Sequence, residues 1–326
     1  MRIGITGGAG YIASHLVHEL LKEDHELCVI DNLSTGSSKN IVRDSPKYKF
    51  IEGNISDEAV IDSFFSFEPQ VIFHFAAFKA AGESMRKPAI YSENNVRASF
   101  KFLEHIQEGT FLIFSSSAAV YGNPEYLPMD EKHPLNPENY YGFTKKIFEE
   151  NLEWYSRIQG IFYASLRYFN AAGYDMGGRV SGIERFPNNL LPIIMEVACG
   201  HRPEFEIFGT DYDTPDGTCV RDYIHVNDLV RAHLLAMDHI IQKKENLIVN
   251  LGSENGLSVS QILEAAREIT GQKISAKRAG RRPGDPPILI ASAEKARRVL
   301  GWKPEFSDCG SLVKSMWDAY RRDVSQ

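Results

Sequence analysis

From the N-terminus the chain alternates two textures. Short runs of mainly apolar residues, many β-branched, recur as RIGIT, LCVID, YKFIEG, VIFHFAA, FLIFSSS and FYASLRYF. Longer segments lie between them, with apolar residues every three or four positions: YIASHLVHELLKE, EAVIDSFFSF, IYSENNVRASFKFLEHI and YYGFTKKIFEENLEWYSRI. A short apolar run reads as a strand buried on both faces, and a 3.6-residue period as a helix with one buried face. Their alternation predicts an α/β fold, a doubly wound parallel sheet of Rossmann type with helices on both sides. Ligands of such sheets bind at the carboxyl ends of the strands.

After Asn170 the texture changes. NAAGYDMGGRVSGIERFPNN is a loop rich in Gly and Asn, and the remainder mixes short strands and helices with polar loops. The expectation is a sheet domain over 1–170 and a smaller, mixed α/β substrate region over 171–326. Within the latter, LIVNLG reads as a strand returning to the sheet. Neither an internal repeat nor a low-complexity stretch interrupts the pattern.

Composition narrows the classes. With 326 residues, 43% hydrophobic and 24% charged, the chain suits a large globular core. A net charge of −7 argues against a general nucleic-acid surface. No apolar run approaches the roughly 18–20 residues of a spanning helix, and no signal-peptide pattern opens the chain. A cytoplasmic, membrane-free protein is expected. Cys28, Cys199, Cys219 and Cys309 stand far apart, without C-x-x-C, and read as reduced thiols rather than disulfides or metal ligands. No metal is expected.

The first chemistry lies in GGAGYIA. A strand running into glycines and then a helix presents backbone N–H groups at a positive helix end, which suits a pyrophosphate. The stretch fits Gly8-x-Gly10-x-x-Ala13 and also Gly7-x-x-Gly10-x-x-Ala13. Asp31, ending LCVID, is the acid expected roughly 20 residues on to bind a ribose diol. Its carboxylate repels a ribose phosphate, and Asn32 and Leu33 supply no cation, so NAD is the expected cofactor rather than NADP.

Tyr141 and Lys145, spaced i, i+4, project from one face of a helix start. A nearby Lys⁺ stabilises phenolate, and a Tyr of pKa about 10 needs such lowering to act as a base near neutrality. The spacing alone is common. Its place just after the fifth strand, whose end carries Ser115, Ser116 and Ser117, gives it weight, because a hydroxyl there can share a proton with Tyr141.

Together the glycine loop, Asp31, SSS-x-x-VYG, YxxxK and LRYFN resemble the extended short-chain dehydrogenase/reductase superfamily. HFAAFKAAGES, IFSSSAAVYG, LRYFNAAG, PNNLLP, VRDYIHVNDL and RRPGD resemble its UDP-glucose 4-epimerases, in register from about Ile3 to Trp302. The resemblance implies an NAD-dependent isomerase that interconverts UDP-glucose and UDP-galactose through a 4-keto sugar. It implies Ser117, Tyr141 and Lys145 as catalytic residues. Gly7, Gly10, Tyr11 and Ile12, with Ala13, would line the pyrophosphate, and Asp31 and Asn32 the adenosine ribose. Asn54 and Ile55 would lie near adenine, the Asn replacing the family's Asp. Phe75, Ala76, Lys79, Asn94, Ser115 and Tyr168 would follow the cofactor, and Lys79 would also reach the substrate. For the UDP-sugar it implies Asn170, Asn189, Leu190, Phe208 beside uracil, Arg221, Tyr223, Arg282, and Asp285 on the uridine ribose. Guanidinium forks suit diphosphate oxygens. Outside the resemblance, Arg221–Asp222 reads as a surface ion pair, RRPGD as a solvated turn, and His74 and His225 as structural.

Relatives of this kind form homodimers through a four-helix interface, here IYSENNVRASFKFLEHI and the Tyr141 helix. Leu289 stands where the family more often has a tyrosine or a small residue, which leaves 4-epimerisation of N-acetylated, pentose or uronic UDP-sugars as an alternative. A 4,6-dehydratase calls for an acid beside the serine; Ser116, Ala118 and Ala119 stand there instead. A non-catalytic NAD sensor would be expected to lose the Tyr or Lys that this chain keeps.

Overall fold

The computed structural model describes residues 1–184, 187–282 and 284–324. Two compact units emerge. The first gathers Met1–Gly122, Leu135–Arg167 and Val230–Val249; the second gathers Asn123–Pro134, Tyr168–Leu229 and Asn250–Gln326. Neither is the continuous stretch on one side of residue 170 that texture suggests, because one helix and one strand from beyond that point serve the sheet.

In chain order the first part runs β1 (Arg2–Thr6), α1 (Tyr11–Leu20), β2 (Glu26–Asp31), β3 (Tyr48–Glu52), α2 (Glu58–Phe65), β4 (Val71–His74), and two short helices, α3 (Ala81–Ser84) and α4 (Pro88–Tyr91). A π-helical turn at Ser92–Arg97 leads into α5 (Ala98–Leu103), β5 (Phe111–Ser117), the long α6 (Tyr140–Gln159) and β6 (Phe162–Tyr168). The second part runs β7 (Asn170–Ala172), α7 (Leu190–Ala198), β8 (Phe205–Phe208), β9 (Val220–His225), α8 (Val226–Lys243), β10 (Leu247–Leu251), β11 (Gly256–Ser258), α9 (Val259–Thr270), β12 (Ala276–Ala279), β13 (Ile288–Leu289), α10 (Glu294–Leu300) and α11 (Cys309–Val324).

The seven-stranded sheet has the order β10-β6-β5-β4-β1-β2-β3. The pairs β1–β2, β2–β3, β1–β4 and β4–β5 are all parallel. Strand order reverses between β1 and β4, so a crevice opens at their carboxyl ends. Both faces of β1, β2 and β4 are buried, which explains their unbroken apolar runs. One side of the sheet packs Phe64, Phe102, Phe114 and Phe148 into a single core. The predicted strand LIVNLG is β10, beside β6 at the edge. Among the described residues no helix is long and apolar enough to cross a membrane.

Helix α6 starts where Asn139 accepts the Gly142 N–H through its side chain (2.9 Å) and ends at Gly160, whose φ is +69°. In the second unit β9 is central, pairing with β7 and β13 in parallel and with β11 antiparallel. Asp222, on β9, is fully buried and accepts Ser253 N (2.7 Å), Ser253 Oγ (2.8 Å), Glu254 N and Ala291 N (both 3.1 Å). It is a knot for three chain segments rather than a surface ion-pair partner. His225 is likewise buried, its Nε2 within 3.0 Å of Ser315 Oγ.

His74 closes β4 inside the core. Its Nδ1 pairs with Thr6 Oγ1 (2.8 Å), its Nε2 with Ser99 Oγ (3.2 Å), and its ring stacks against Phe102, Phe114 and Phe148. Burial pushes its pKa from 6.5 down to about 3. The unfolded chain therefore binds more protons between these values, so stability falls as pH drops through that window. The expected slope from this group is up to about 1.4 kcal/mol per pH unit. Urea unfolding at a series of pH values checks it: His74→Phe starts less stable but loses that much of the acid slope.

Candidate functional site: a glycine loop, a tyrosine–lysine helix and a nucleotide-sized cavity

The glycine loop joins β1 to α1. Gly7 has φ +73°, and a Cβ there would stand 2.8 Å from the Ala76 amide nitrogen. Only a residue without a side chain satisfies both conditions. At Gly8 a Cβ would meet Val29 Cγ1 at 2.2 Å, so this glycine seats the loop on β2. The N–H groups of Gly7 and Gly8 are spent on Ile30 O (2.7 and 3.3 Å). Gly10 caps α1 with no side-chain hydrogen bond, and the first intrahelical bond runs from Ser14 N to Gly10 O (3.0 Å). The amides of Tyr11, Ile12 and Ala13 thus lie outside the helical ladder, at its positive end. Ala13 is buried beneath them.

Asp31 ends β2 and is almost wholly buried. Its Oδ2 accepts the Ala9 N–H (2.9 Å) and its Oδ1 the Leu33 N–H (2.7 Å). Burial holds its carboxyl above the usual range, against these two bonds. Asn32 is exposed and turns its Oδ1 to Ser34 N (3.0 Å). Asn40, which sequence reading missed, is buried and donates to Ala9 O (3.1 Å), bracing the loop from outside. Further along the rim, Asn54 Oδ1 accepts Ser56 N (3.0 Å) and Ile55 is buried. Phe75 stacks on His233 (5.0 Å between centroids), and Ala76 N donates to Thr6 Oγ1 (3.3 Å). Lys79 is exposed, its Nζ 6.0 Å from the Tyr11 ring centre, and Asn94 donates to Asn95 Oδ1 (3.0 Å).

At the end of β5, Ser117 accepts Ala119 N (3.1 Å) and stands near enough to the Tyr141 phenol to act on its titration. Helix α6 reaches them because Gly142 carries no side chain: a Cβ would stand 2.2 Å from Ala119 O. Lys145, one turn on, is buried; its Nζ donates to Ser115 O (2.7 Å) and lies 5.8 Å from the Tyr141 ring centre. Burial pushes the phenol up to about 12, with Ser117 acting in the opposite sense. It pushes the Lys145 ammonium down to about 7, opposed by Glu149. Desolvation sets the direction for both groups, and at the phenol it is Ser117 rather than the expected lysine that opposes it.

In the second unit, Asn170, Asn189, Leu190, Phe208, Arg221, Tyr223, Arg282 and Asp285, drawn from five stretches of sequence, line one cavity of about 690 Å³. Arg221 Nη2 pairs with Asp285 Oδ1 (3.0 Å), and the Arg282 guanidinium lies 3.8 Å from the Phe208 ring centre. Pro283 of RRPGD lies outside the described residues. Asn170 Nδ2 donates to Asp222 O (3.0 Å), and Asn189, at the start of α7, makes no capping bond through its side chain. Tyr168 is buried at the end of β6, and Leu289 pairs in register with Arg221. Arg202, Glu204 and Cys219 also line the cavity, with no motif to mark them beforehand.

Metal-ligand spacing is absent from the linear sequence, yet the fold gathers Glu58, Asp62 and His105 with ligand atoms within 4.8 Å of one another. Lys101 already pairs with Glu58 (2.6 Å) and supplies a countercharge.

A parallel sheet with a glycine loop at its switch point and an acid ending the second strand defines a dinucleotide-binding α/β protein. Residues 3–252 match the NAD dependent epimerase/dehydratase family, and the chain belongs to it. It is 46% identical over 322 residues to the UDP-glucose 4-epimerase of Streptococcus mutans, covering 97% of this chain and 96% of that one. The crystal structure of UDP-glucose 4-epimerase from Brucella ovis in complex with NAD superposes with TM-score 0.92 at 38% identity, covering 98% of both chains. The Bifidobacterium longum enzyme in complex with NAD⁺ and UDP gives 0.92 at 35% identity, covering 99% of each.

The loop geometry predicts that Gly7→Ala folds but loses its NAD. Nucleotide released on denaturation measures this: the wild-type chain yields NAD and no NADP, the variant little of either.

Proposed function

We propose that this protein interconverts UDP-glucose and UDP-galactose by epimerisation at C4 through a transient 4-keto sugar. The observation that carries the reading is the Tyr141–Lys145 pair on the first turns of α6, with Lys145 Nζ on Ser115 O (2.7 Å) and 5.8 Å from the Tyr141 ring centre, and Ser117 acting on the phenol from the end of β5. The glycine loop fits NAD, because the positive φ of Gly7 and the close approaches at Gly7 and Gly8 seat a bare backbone at the N-terminal, positive end of α1. In this reading Gly7, Gly10, Tyr11 and Ile12 hold the pyrophosphate, and Asp31 and Asn32 the adenosine ribose. Asn54, Ile55, Phe75, Ala76, Lys79, Asn94, Ser115, Lys145 and Tyr168 line the rest of the cofactor.

Bound NAD supplies a reversible hydride acceptor and a positive charge. Tyr141 Oη takes the proton of the sugar 4-hydroxyl, and Ser117 shares that hydrogen bond so the proton has a short path. Lys145, fixed by Ser115 O, places a positive charge near the phenol and favours the phenolate form in which Tyr141 accepts the 4-hydroxyl proton. Between the two proton transfers the 4-keto sugar turns about its diphosphate link and presents its opposite face. Binding energy therefore belongs on the nucleotide. Arg221 and Arg282 supply guanidinium forks for the diphosphate, Asp285 an acceptor for the uridine ribose, and Phe208 a face for uracil. Asn170, Asn189, Leu190 and Tyr223 complete that wall.

We further assign a cytoplasmic homodimer. Phe143, Trp154 and Ile158 stand on α6 with 42%, 59% and 75% of their surface exposed, an apolar stripe that a second copy would cover. Trp154→Glu should shift the chain to monomer in light scattering; an unchanged mass removes this face as the interface.

Purified protein with no added NAD should equilibrate UDP-glucose and UDP-galactose, followed by NMR within a panel that includes the N-acetyl and pentose forms. The neighbourhood of Leu289 and Arg221 makes the N-acetyl result informative about sugar size. Tyr141→Phe should lose turnover by a factor of about 10²–10⁴ while keeping its cofactor. Near-wild-type turnover in that variant would remove Tyr141 as the base.

A further inference from the structure

The apolar period of IYSENNVRASFKFLEHI predicts one uninterrupted helix, yet Ser92–Arg97 is π-helical between α4 and α5. A π-turn adds a residue to the turn and changes which side chains face inward. Here it turns Asn95 into the protein, 5% exposed, and leaves Asn94 half-exposed beside it. Asn95 Oδ1 accepts the Phe78 N–H (2.8 Å), and its Nδ2 donates to Phe78 O (2.9 Å) and to Thr144 Oγ1 (3.2 Å). One amide thus saturates both backbone groups of a residue in the loop after β4 and reaches the first turn of α6. Thr144 Oγ1 in turn donates to Tyr141 O (2.7 Å).

The other side of Tyr141 is held from α3, the short helix that follows this loop. Its N–H donates to Ser84 Oγ (3.0 Å), and Ser84 is buried and itself donates to Ala81 O (2.6 Å). Such first-turn amides have no partner inside their own helix. Both backbone groups of Tyr141 are therefore bonded to hydroxyls, one of which is tied to the loop that carries Lys79.

We infer that Asn95 is a positioning residue for Tyr141: through Phe78 on one side and Thr144 on the other, it locks the loop after β4 to the first turn of α6. It sets where the phenol stands without touching substrate or cofactor. The inference deepens the epimerase reading and rests on it for the meaning of turnover, while the clamp itself has a readout of its own.

The test uses the full chain with its NAD bound. Thr144→Val replaces one hydroxyl with a methyl and cuts the link from Asn95 to Tyr141 O; Thr144→Ser keeps it. Thr144→Val should lower kcat by about tenfold to a hundredfold, the cost of a misplaced group, with NAD content retained. KM for UDP-galactose should change by less than about threefold, since ground-state binding is untouched. Amide hydrogen exchange at Tyr141 and Gly142 should quicken. Thr144→Ser should restore both turnover and exchange. Asn95→Ala should show the same kcat-over-KM split with a lower melting temperature, and if it fails to fold, the Thr144 pair decides. Wild-type turnover and exchange in Thr144→Val, or no recovery in Thr144→Ser, would overturn the clamp. Loss of kcat, cofactor and substrate affinity together in proportion to lost stability would reduce it to a structural bond. If the wild-type chain does not convert UDP-galactose, the epimerase reading falls, and hydrogen exchange still decides the clamp.

Discussion

The arrangement of reactive groups depends on one close approach. Where Gly142 meets Ala119, a backbone carbonyl occupies the space a side chain would need, and the first turn of α6 comes down on the end of β5. The approach of Tyr141 to Ser117 and the reach of Lys145 to Ser115 O follow from that distance. A larger residue would lift the helix, and a shift of about 1 Å is enough to disable a catalytic group. The cap from Asn139, the bond from Ser84 and the core beneath Phe148 all act to hold the helix in this place.

Burial has two sides here. It makes the Lys145 ammonium and the Tyr141 phenol costly to charge, pushing them toward about 7 and about 12. The same low dielectric strengthens any charge that a ligand brings beside them. A base that is quiet alone and strong beside a cation suits chemistry that should start only when cofactor and sugar are both in place.

Much of this was legible in the residues. The apolar runs predicted the parallel strands because β1, β2 and β4 are buried on both faces, and such burial leaves an unbroken apolar signature. GGAGYIA and Asp31 could be read because the turn needs particular backbone freedom at a set distance from the helix. Contacts between distant segments were not legible. Gly8 was only the first glycine of one of two possible registers until Val29 was placed beneath it, and Asp222 looked like half of a surface ion pair until Ser253, Glu254 and Ala291 converged on it. Arg221 found its partner 64 residues away, in Asp285. The π-turn at Ser92–Arg97 was hidden because its apolar positions still fit an ordinary helical period.

The edge strand β10 has a consequence for how the molecule is made. The sheet that bears the glycine loop and Tyr141 is not complete until residue 251 has been synthesised, long after the second unit has begun to emerge. During synthesis β6 is therefore an open edge with unpaired backbone groups, a position prone to pairing with the wrong strand. The first unit cannot finish its sheet before much of the second has been made, and a gene cut at the visible change of texture near residue 170 would yield a sheet lacking its last strand rather than a free-standing nucleotide-binding domain.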